Sequence, residues 1–426
     1  MEINLESIIL EKQFLYQKNI KNMELTLKEA RKAIEFIIDN NRTLQDKGLF
    51  PISVNICGSA GCGKTSTIDQ IAADLGYNYI SLNLSQIQDT SDLVGYPIKE
   101  HYICKEDGSE CKWIPSEMID AFVKNGWVMT EETRMSYAVP MWLKTIDPTK
   151  PLILQLDDYT RCTPHVLQAC NELILRHKYI SWELPKYSTV ICSSNPDDGS
   201  YNVASTDEAM ASRLVNFNVR FNVNDWAEYA ERAELDSRGI NFLLQYHTEL
   251  MDRSKTKCAK VNARNYTMFI NIISGIKDWS TSENLAFILQ LASGCFLDDQ
   301  ENVVGHLFST FIANKLDKLP TPEVLVTQKW DTLAPKLEAL LYENDVYRPD
   351  LASILSTRFC NYSLMLFEKK GTKTDVVVDR ILEIIDNKKI LFSEDLIFNL
   401  IKTLNKMYPA RCNKMLMNPK IIAKLI

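Results

Sequence analysis

The stretch Gly58-Ser59-Ala60-Gly61-Cys62-Gly63-Lys64-Thr65 decides how the chain is read. It fits G-x-x-x-x-G-K-[ST], a loop that cradles phosphate. Glycines allow backbone turns that a side chain would block, so successive N–H groups can face one anion. Lys64 brings a point charge for the β- and γ-phosphates, and Thr65 brings a hydroxyl for Mg²⁺. The surroundings agree. Pro51 to Cys57 alternates apolar and polar residues and reads as a strand. Ile68, Ile71, Ala72 and Leu75 fall at helical spacing, so a helix is expected from Lys64 to Gly76. Its N-terminus adds partial positive charge to the phosphate site. Gly58, Ser59, Ala60, Gly61, Cys62, Gly63, Lys64, Thr65 and Ser66 are therefore candidate nucleotide-binding residues.

Composition sets outer limits. The chain has 426 residues, is 46% hydrophobic and 24% charged, and carries a net charge of −7. That profile fits an ordinary globular protein of two or three domains. The acidic balance argues against bulk electrostatic coating of DNA, though a local basic patch stays open. The eleven cysteines follow no regular spacing, and the acidic Met1-Glu2 start leads into no signal-peptide pattern. The expectation is a reduced protein with buried thiols, in a bacterial cytosol or a phage-infected host. No apolar run approaches the roughly 18 residues that a membrane span requires. His101, Cys104 and Cys111 raise a zinc question, but a structural zinc site needs four ligands. Lys105 to Glu110 reads instead as a hairpin turn around Asp107-Gly108.

Residues 1–50 read as a helical segment with a stripe of Leu25, Leu27, Ala30, Ala33, Ile34, Ile37 and Ile38. Residues 51–223 alternate strands and helices, the pattern of an α/β core with a mostly parallel sheet covered on both faces. Expected strands are Tyr79–Leu84, Pro151–Asp157, Ser188–Ser194 and Leu214–Phe221. Pro164 opens a helix with Val166, Leu167, Cys170, Leu173 and Ile174 on one side. Residues 224–318 read as helical, with Trp226, Tyr229, Leu243, Leu244, Phe269, Ile270, Ile272 and Ile273 as core. Pro320-Thr321-Pro322 reads as a linker into a further helical region, residues 319–426, with amphipathic segments at Asp379–Asp386 and Ser393–Met407.

A second phosphate-chemistry element follows the first by about 90 residues: Leu152-Ile153-Leu154-Gln155-Leu156-Asp157-Asp158. An apolar strand ending in two acids suits a Walker B element. Asp157 would serve Mg²⁺, and Asp158 would orient or deprotonate the attacking water.

From Pro51 to Arg264 the chain resembles the AAA+ ATPases, and within them the MoxR-like group with its phage-type members. Asp92-Leu93-Val94-Gly95-Tyr96-Pro97 looks like that group's D-L-x-G-x-P segment, and Asp157-Asp158-Tyr159-Thr160-Arg161 like its Walker B extension. Val190 to Pro196 looks like the sensor 1 strand, ending in Asn195-Pro196. Glu208 to Leu214 looks like the segment that ends in an arginine finger, Arg213. Asn262-Ala263-Arg264-Asn265 is similar to the sensor 2 signature without its usual proline.

The resemblance implies a P-loop core followed by an all-α lid, with ATP and Mg²⁺ as cofactors and ATP hydrolysis as the activity. It assigns catalytic roles to Lys64, Asp158, Asn195 and Arg213, metal binding to Thr65 and Asp157, and γ-phosphate contact in cis to Arg264. It also implies a homo-oligomeric ring, taken as a hexamer, with ATP between the two domains of a subunit and Arg213 reaching the neighbour. The implied partner is a protein client, in many relatives one with a von Willebrand factor A domain, rather than nucleic acid or membrane. The second acid is Asp158, where most relatives carry Glu. Asp-Asp also occurs in phage-type members, which implies retained activity. The insert from His101 to Trp113, with Lys99, Lys105, Lys112 and Trp113, reads equally as a solvated hairpin or as a grip on peptide or nucleic acid. Two other functions stay open: a nucleic-acid motor or loader, and a nucleotide-gated scaffold with little hydrolysis.

Overall fold

The computed structural model describes residues 24–196, 210, 212–251, 261–296, 299, 301–369 and 375–422. They fall into two compact units divided between Phe221 and Asn222.

The first unit is built on a six-stranded parallel sheet. Its strands are β1 (Leu25–Thr26), β2 (Ser53–Gly58), β3 (Asn78–Asn83), β7 (Leu152–Asp157), β10 (Thr189–Ser194) and β11 (Leu214–Arg220), in the order β1-β11-β2-β10-β7-β3. Strand side chains alternate between faces, and β7 shows why a parallel sheet needs cover on both. Leu152, Leu154 and Leu156 join Val166, Cys170, Leu173 and Ile174 of the helix Pro164–Arg176 in one core. Ile153 joins Ile34, Ile38, Ile68 and Ile71 in the other. The last four belong to α1 (Leu27–Asp46) and α2 (Lys64–Leu75); α3 is Pro164–Arg176. Apart from β1 and α1, these strands and helices agree with the sequence reading to within one or two residues.

The N-terminal stripe differs in detail. Leu25 leaves the helix to pair in parallel with Val219. Thr26 then caps α1 in a reciprocal capping box with Glu29. Residues 1–23 lie outside the described residues.

Between β3 and β7 lies a smaller antiparallel sheet, order β5-β4-β6, of β4 (Pro97–Lys105), β5 (Cys111–Pro115) and β6 (Trp127–Tyr137). The β4–β5 hairpin turns at Asp107-Gly108, where Gly108 has φ 68°. Cys104 and Cys111 oppose each other across it and are disulfide-bonded. This corrects the expectation of reduced thiols throughout, because directly opposed positions bring two Cβ atoms within bonding reach. His101 Nε2 lies 3.2 Å from Ser116 Oγ, and no group of three or more His, Cys, Asp or Glu side chains placed to hold a metal occurs among the described residues. A short strand pair, β8 (Lys178–Tyr179) and β9 (Trp182–Glu183), follows α3.

Among its described residues the second unit is helical apart from the hairpin β12 (Tyr342–Glu343) and β13 (Val346–Tyr347). Its main helices are α4 (Val223–Arg232), α5 (Ser237–Met251), α6 (Ala263–Ile273), α7 (Ser282–Cys295), α8 (Val303–Ala313), α9 (Pro322–Thr327), α10 (Trp330–Leu341), α11 (Pro349–Glu368), α12 (Asp375–Asp386) and α13 (Glu394–Met407). Phe242 of α5 lies edge-on to Phe308 and Phe311 of α8. Residues 224–318 and 319–426 share this unit. Buried Arg358 of α11 pairs with Glu231 at 2.5 Å and donates to Asn241 Oδ1 at 2.8 Å. Of the expected core residues here, Tyr229 and Ile272 are instead exposed, at 49% and 47%.

Candidate nucleotide site

Strand order brings three motifs together. β10 pairs with β2 on one side and β7 on the other, so Asn195 emerges between the phosphate loop and the two acids. In open parallel sheets ligands bind beyond the carboxyl ends of the strands, where all three motifs sit.

The loop leaves β2 at Gly58. A Cβ there would lie 2.6 Å from Val219 Cγ2 and 2.8 Å from Val219 O. Only glycine lets β11 stay paired up to the loop. Gly63 precedes α2 with φ 106°, a left-handed value that brings the chain into the helix with no side chain over its first N–H groups. Lys64 is 8% exposed. Its Nζ donates to Gly58 O at 2.6 Å, Ser59 O at 3.1 Å and Asn195 Oδ1 at 3.2 Å. All three protons are engaged, so phosphate binding exchanges at least one of these bonds.

Asn195 Nδ2 donates to Asp158 Oδ1 at 3.3 Å. The amide orientation is fixed, since an ammonium can only donate and a carboxylate only accept. Lys64, Asn195 and Asp158 thus form one polar chain across β2, β10 and the end of β7. Asp158 has φ 52° and ψ 37°, in the left-handed region that short polar residues tolerate best. A longer Glu is less suited there, which gives the Asp-Asp pair a backbone rationale. The other carboxylate oxygen of Asp158 meets Arg161 Nη1 at 3.2 Å.

Thr65 and Asp157 meet through a residue that sequence reasoning passed over. Gln155 is fully buried, and its Nε2 lies 3.4 Å from Thr65 Oγ1, 3.3 Å from Asp157 Oδ1 and 3.1 Å from Ser193 Oγ. Ser193 Oγ also donates to Asp157 Oδ1. The available signal was Gln155 itself, the one uncharged polar residue in an apolar strand, since a buried amide needs partners. Thr65 and Asp157 supply hard oxygen donors, the type Mg²⁺ takes, and the residues present fit that ion.

Burial raises the Cys192 thiol well above its usual range and pushes Cys162 up to about 11, so both stay protonated.

The remaining predicted residues lie elsewhere. Ser66 is exposed on the first turn of α2. Arg213 directly precedes β11, whose Leu214 pairs with Ser53 at the start of β2, whereas Val219 pairs with Gly58 at its end. Five residues of strand span about 17 Å, so Arg213 stands at the opposite end of the strands from its own phosphate loop. Its Nη1 donates to Asn171 Oδ1 of α3 at 3.4 Å. Glu208, Ala209 and Ala211 of that segment lie outside the described residues. Arg264 belongs to the second unit, exposed in the first turn of α6, where Asn262 accepts its backbone N–H at 3.0 Å.

Comparison with known proteins agrees with the loop. Residues 54–126 match the model of the ATPase family associated with various cellular activities (AAA). The match runs from β2 through the insert, so the core is an AAA-type P-loop domain and its activity is ATP hydrolysis. No curated protein matches the chain. A solved structure of a RuvB proline-to-glycine mutant from Thermotoga maritima is 12% identical with a TM-score of 0.33, over 76% of this chain and 89% of that one. At that score the likeness carries no weight for the fold, which rests on strand order and the loop. No described helix is long and apolar enough to cross a membrane.

Proposed function

We propose that the chain is a ring-forming, Mg-ATP-dependent AAA+ ATPase of MoxR-like type that remodels or assembles a protein client. The observation that carries the hydrolytic part is the polar chain Lys64–Asn195–Asp158, which joins a phosphate-binding cation to a carboxylate through one oriented amide. In this reading Lys64 neutralises the β- and γ-phosphates, and Asn195 holds the attacking water or a γ-phosphate oxygen. Asp158 orients that water and takes its proton. Thr65 and Asp157 would hold Mg²⁺, which would supply counter-charge for the phosphates when bound. Arg264 is carried as a nucleotide-binding residue from the resemblance alone.

The placement of Arg213 supports the ring. At the end of its own strands away from the phosphate loop, it is suited to serve a neighbour's γ-phosphate and stabilise transition-state charge there. The client, with a von Willebrand factor A domain as the first candidate, follows from the resemblance.

The insert favours a protein client over nucleic acid. Three cations of the small sheet are already engaged: Lys112 sits 4.3 Å from the Trp127 ring centroid, Lys105 pairs with Glu110 at 2.8 Å, and Arg134 of β6 pairs with Glu100 at 2.7 Å while covering Trp113. A grip on phosphates would have to break these contacts.

The test is steady-state ATPase activity with Mg²⁺, alongside mass by light scattering with and without ATP. Turnover per chain that rises with concentration as an ATP-dependent oligomer forms supports the proposal. ATP binding by a monomer without turnover refutes it in favour of a nucleotide-gated scaffold, and stimulation by DNA alone favours the motor.

A further inference from the structure

We infer that Gln155 is a positioning residue for the metal ligands, and that Tyr79 sets its orientation. The inference rests on the nucleotide-site reading above and adds to it the device that aligns Thr65 with Asp157.

Gln155 lies in the middle of β7, with apolar Leu154 and Leu156 beside it, and is inaccessible to solvent. Burying a primary amide is costly unless its donors and acceptor are used. All are used, and each partner belongs to a different strand or helix. Oε1 accepts the Tyr79 hydroxyl of β3 at 2.5 Å. Nε2 faces Thr65 Oγ1 of α2, Ser193 Oγ of β10 and Asp157 Oδ1 of its own strand, at 3.1 to 3.4 Å. Because the Asp157 carboxylate can only accept, Nε2 must point toward it, and the opposite edge of the amide must take the Tyr79 proton.

The consequence for Thr65 is specific. Its hydroxyl oxygen accepts from Gln155 through one lone pair, and the other remains for a cation. Asp157 Oδ1 likewise accepts from both Gln155 and Ser193, which turns its carboxylate to share a side with Thr65. An apolar residue at 155 would leave both ligands in place without a common orientation. The effect should therefore fall on Mg²⁺ and spare the Mg-independent part of nucleotide binding, which the loop N–H groups and Lys64 provide. Outer partners that orient metal ligands are known to change metal affinity by about 10–100-fold when removed.

The experiment uses the full chain and a fluorescent ADP, titrated in excess Mg²⁺ and in EDTA, together with the Mg²⁺ concentration for half-maximal ATPase activity. For Gln155→Leu the expectation is affinity in EDTA within about twofold of wild type, loss of most of the Mg²⁺-dependent gain, and an Mg²⁺ half-saturation raised about tenfold or more. Tyr79→Phe keeps the ring and the fold, and should shift the Mg²⁺ half-saturation in the same direction by a smaller factor. An unchanged Mg²⁺ response in both variants overturns the inference, as does an equal loss of binding in EDTA and in Mg²⁺, the mark of a merely structural role. If wild type itself binds no nucleotide, the nucleotide-site reading fails and this inference with it. Normal wild-type binding with an indifferent Gln155→Leu removes this inference alone.

Discussion

Asp158→Asn isolates the charge of the second acid from everything else that residue does. The two side chains are nearly isosteric, and asparagine tolerates φ 52° as well as aspartate does. Two contacts change. The Arg161 pair is half-exposed at 3.2 Å, and such pairs contribute about 0.2–1 kcal/mol. The Asn195 amide keeps an acceptor, because the side-chain carbonyl of the substituted residue can replace Oδ1 at 3.3 Å. Stability should therefore fall by no more than about 1 kcal/mol. Lys64 and the loop are untouched, so the Kd for ATP should stay within about threefold of wild type. What disappears is a general base, a contribution of about 10²–10⁴-fold. The expected result is a kcat reduced at least about 100-fold with ATP binding retained, measured by phosphate release and by titration of a fluorescent nucleotide. A variant that keeps a tenth or more of wild-type turnover would refute the assignment of Asp158 as the base. One that loses ATP binding would show that the carboxylate acts mainly in holding the loop.

Other predictions follow from single contacts. His177 is fully buried, its Nδ1–H donating to Ser188 O at 3.0 Å, and burial lowers its pKa to about 4. The folded state then binds fewer protons than the unfolded chain. The His177 contribution is complete above about pH 6.5 and is lost as pH falls toward 4, by about 2 kcal/mol between pH 7 and 5. Thermal melts across that range should show a slope that His177→Gln flattens, and an identical slope in the variant would contradict the assignment. Gly95 has φ 88°, and a Cβ there would overlap Ala138 O, so Gly95→Ala should cost more than about 2 kcal/mol in denaturant unfolding. A loss below about 0.5 kcal/mol would show that the backbone there yields easily. Lys64→Ala should abolish detectable ATP binding, and affinity near wild type would contradict the phosphate role of the loop.

Much of the core was legible because its strands carry strong local signals. β7 is an apolar run between Pro151 and two acids, and its burial on both faces is what such a run encodes. The phosphate loop was legible because its glycines answer to backbone needs, as Gly58 against Val219 shows. β6 was missed because its middle, Thr130-Glu131-Glu132-Thr133-Arg134, is polar and largely exposed on both faces, so no alternation marks it as a strand. The Cys104–Cys111 bond was missed because pairing depends on register across a hairpin, which spacing alone does not give. Gln155 was missed because its partners come from β3, α2 and β10, far apart in sequence and adjacent only once the strand order is known. Tyr229 and Ile272 show the reverse error: apolar character alone assigned them to a core from which their position on the helix excludes them.

The most direct test of the central claim is the ATPase rate of a mixture of Lys64→Ala and Arg213→Ala chains. Each variant alone should be nearly inactive, one for lack of the phosphate cation and the other for lack of the neighbour's arginine. In an equimolar mixture, half of the sites retain Lys64 and half of their neighbours retain Arg213. Random assembly should therefore restore about a quarter of wild-type turnover. A mixture as inactive as its parts, or an Arg213→Ala protein that is fully active by itself, would contradict a ring in which Arg213 completes the adjacent site.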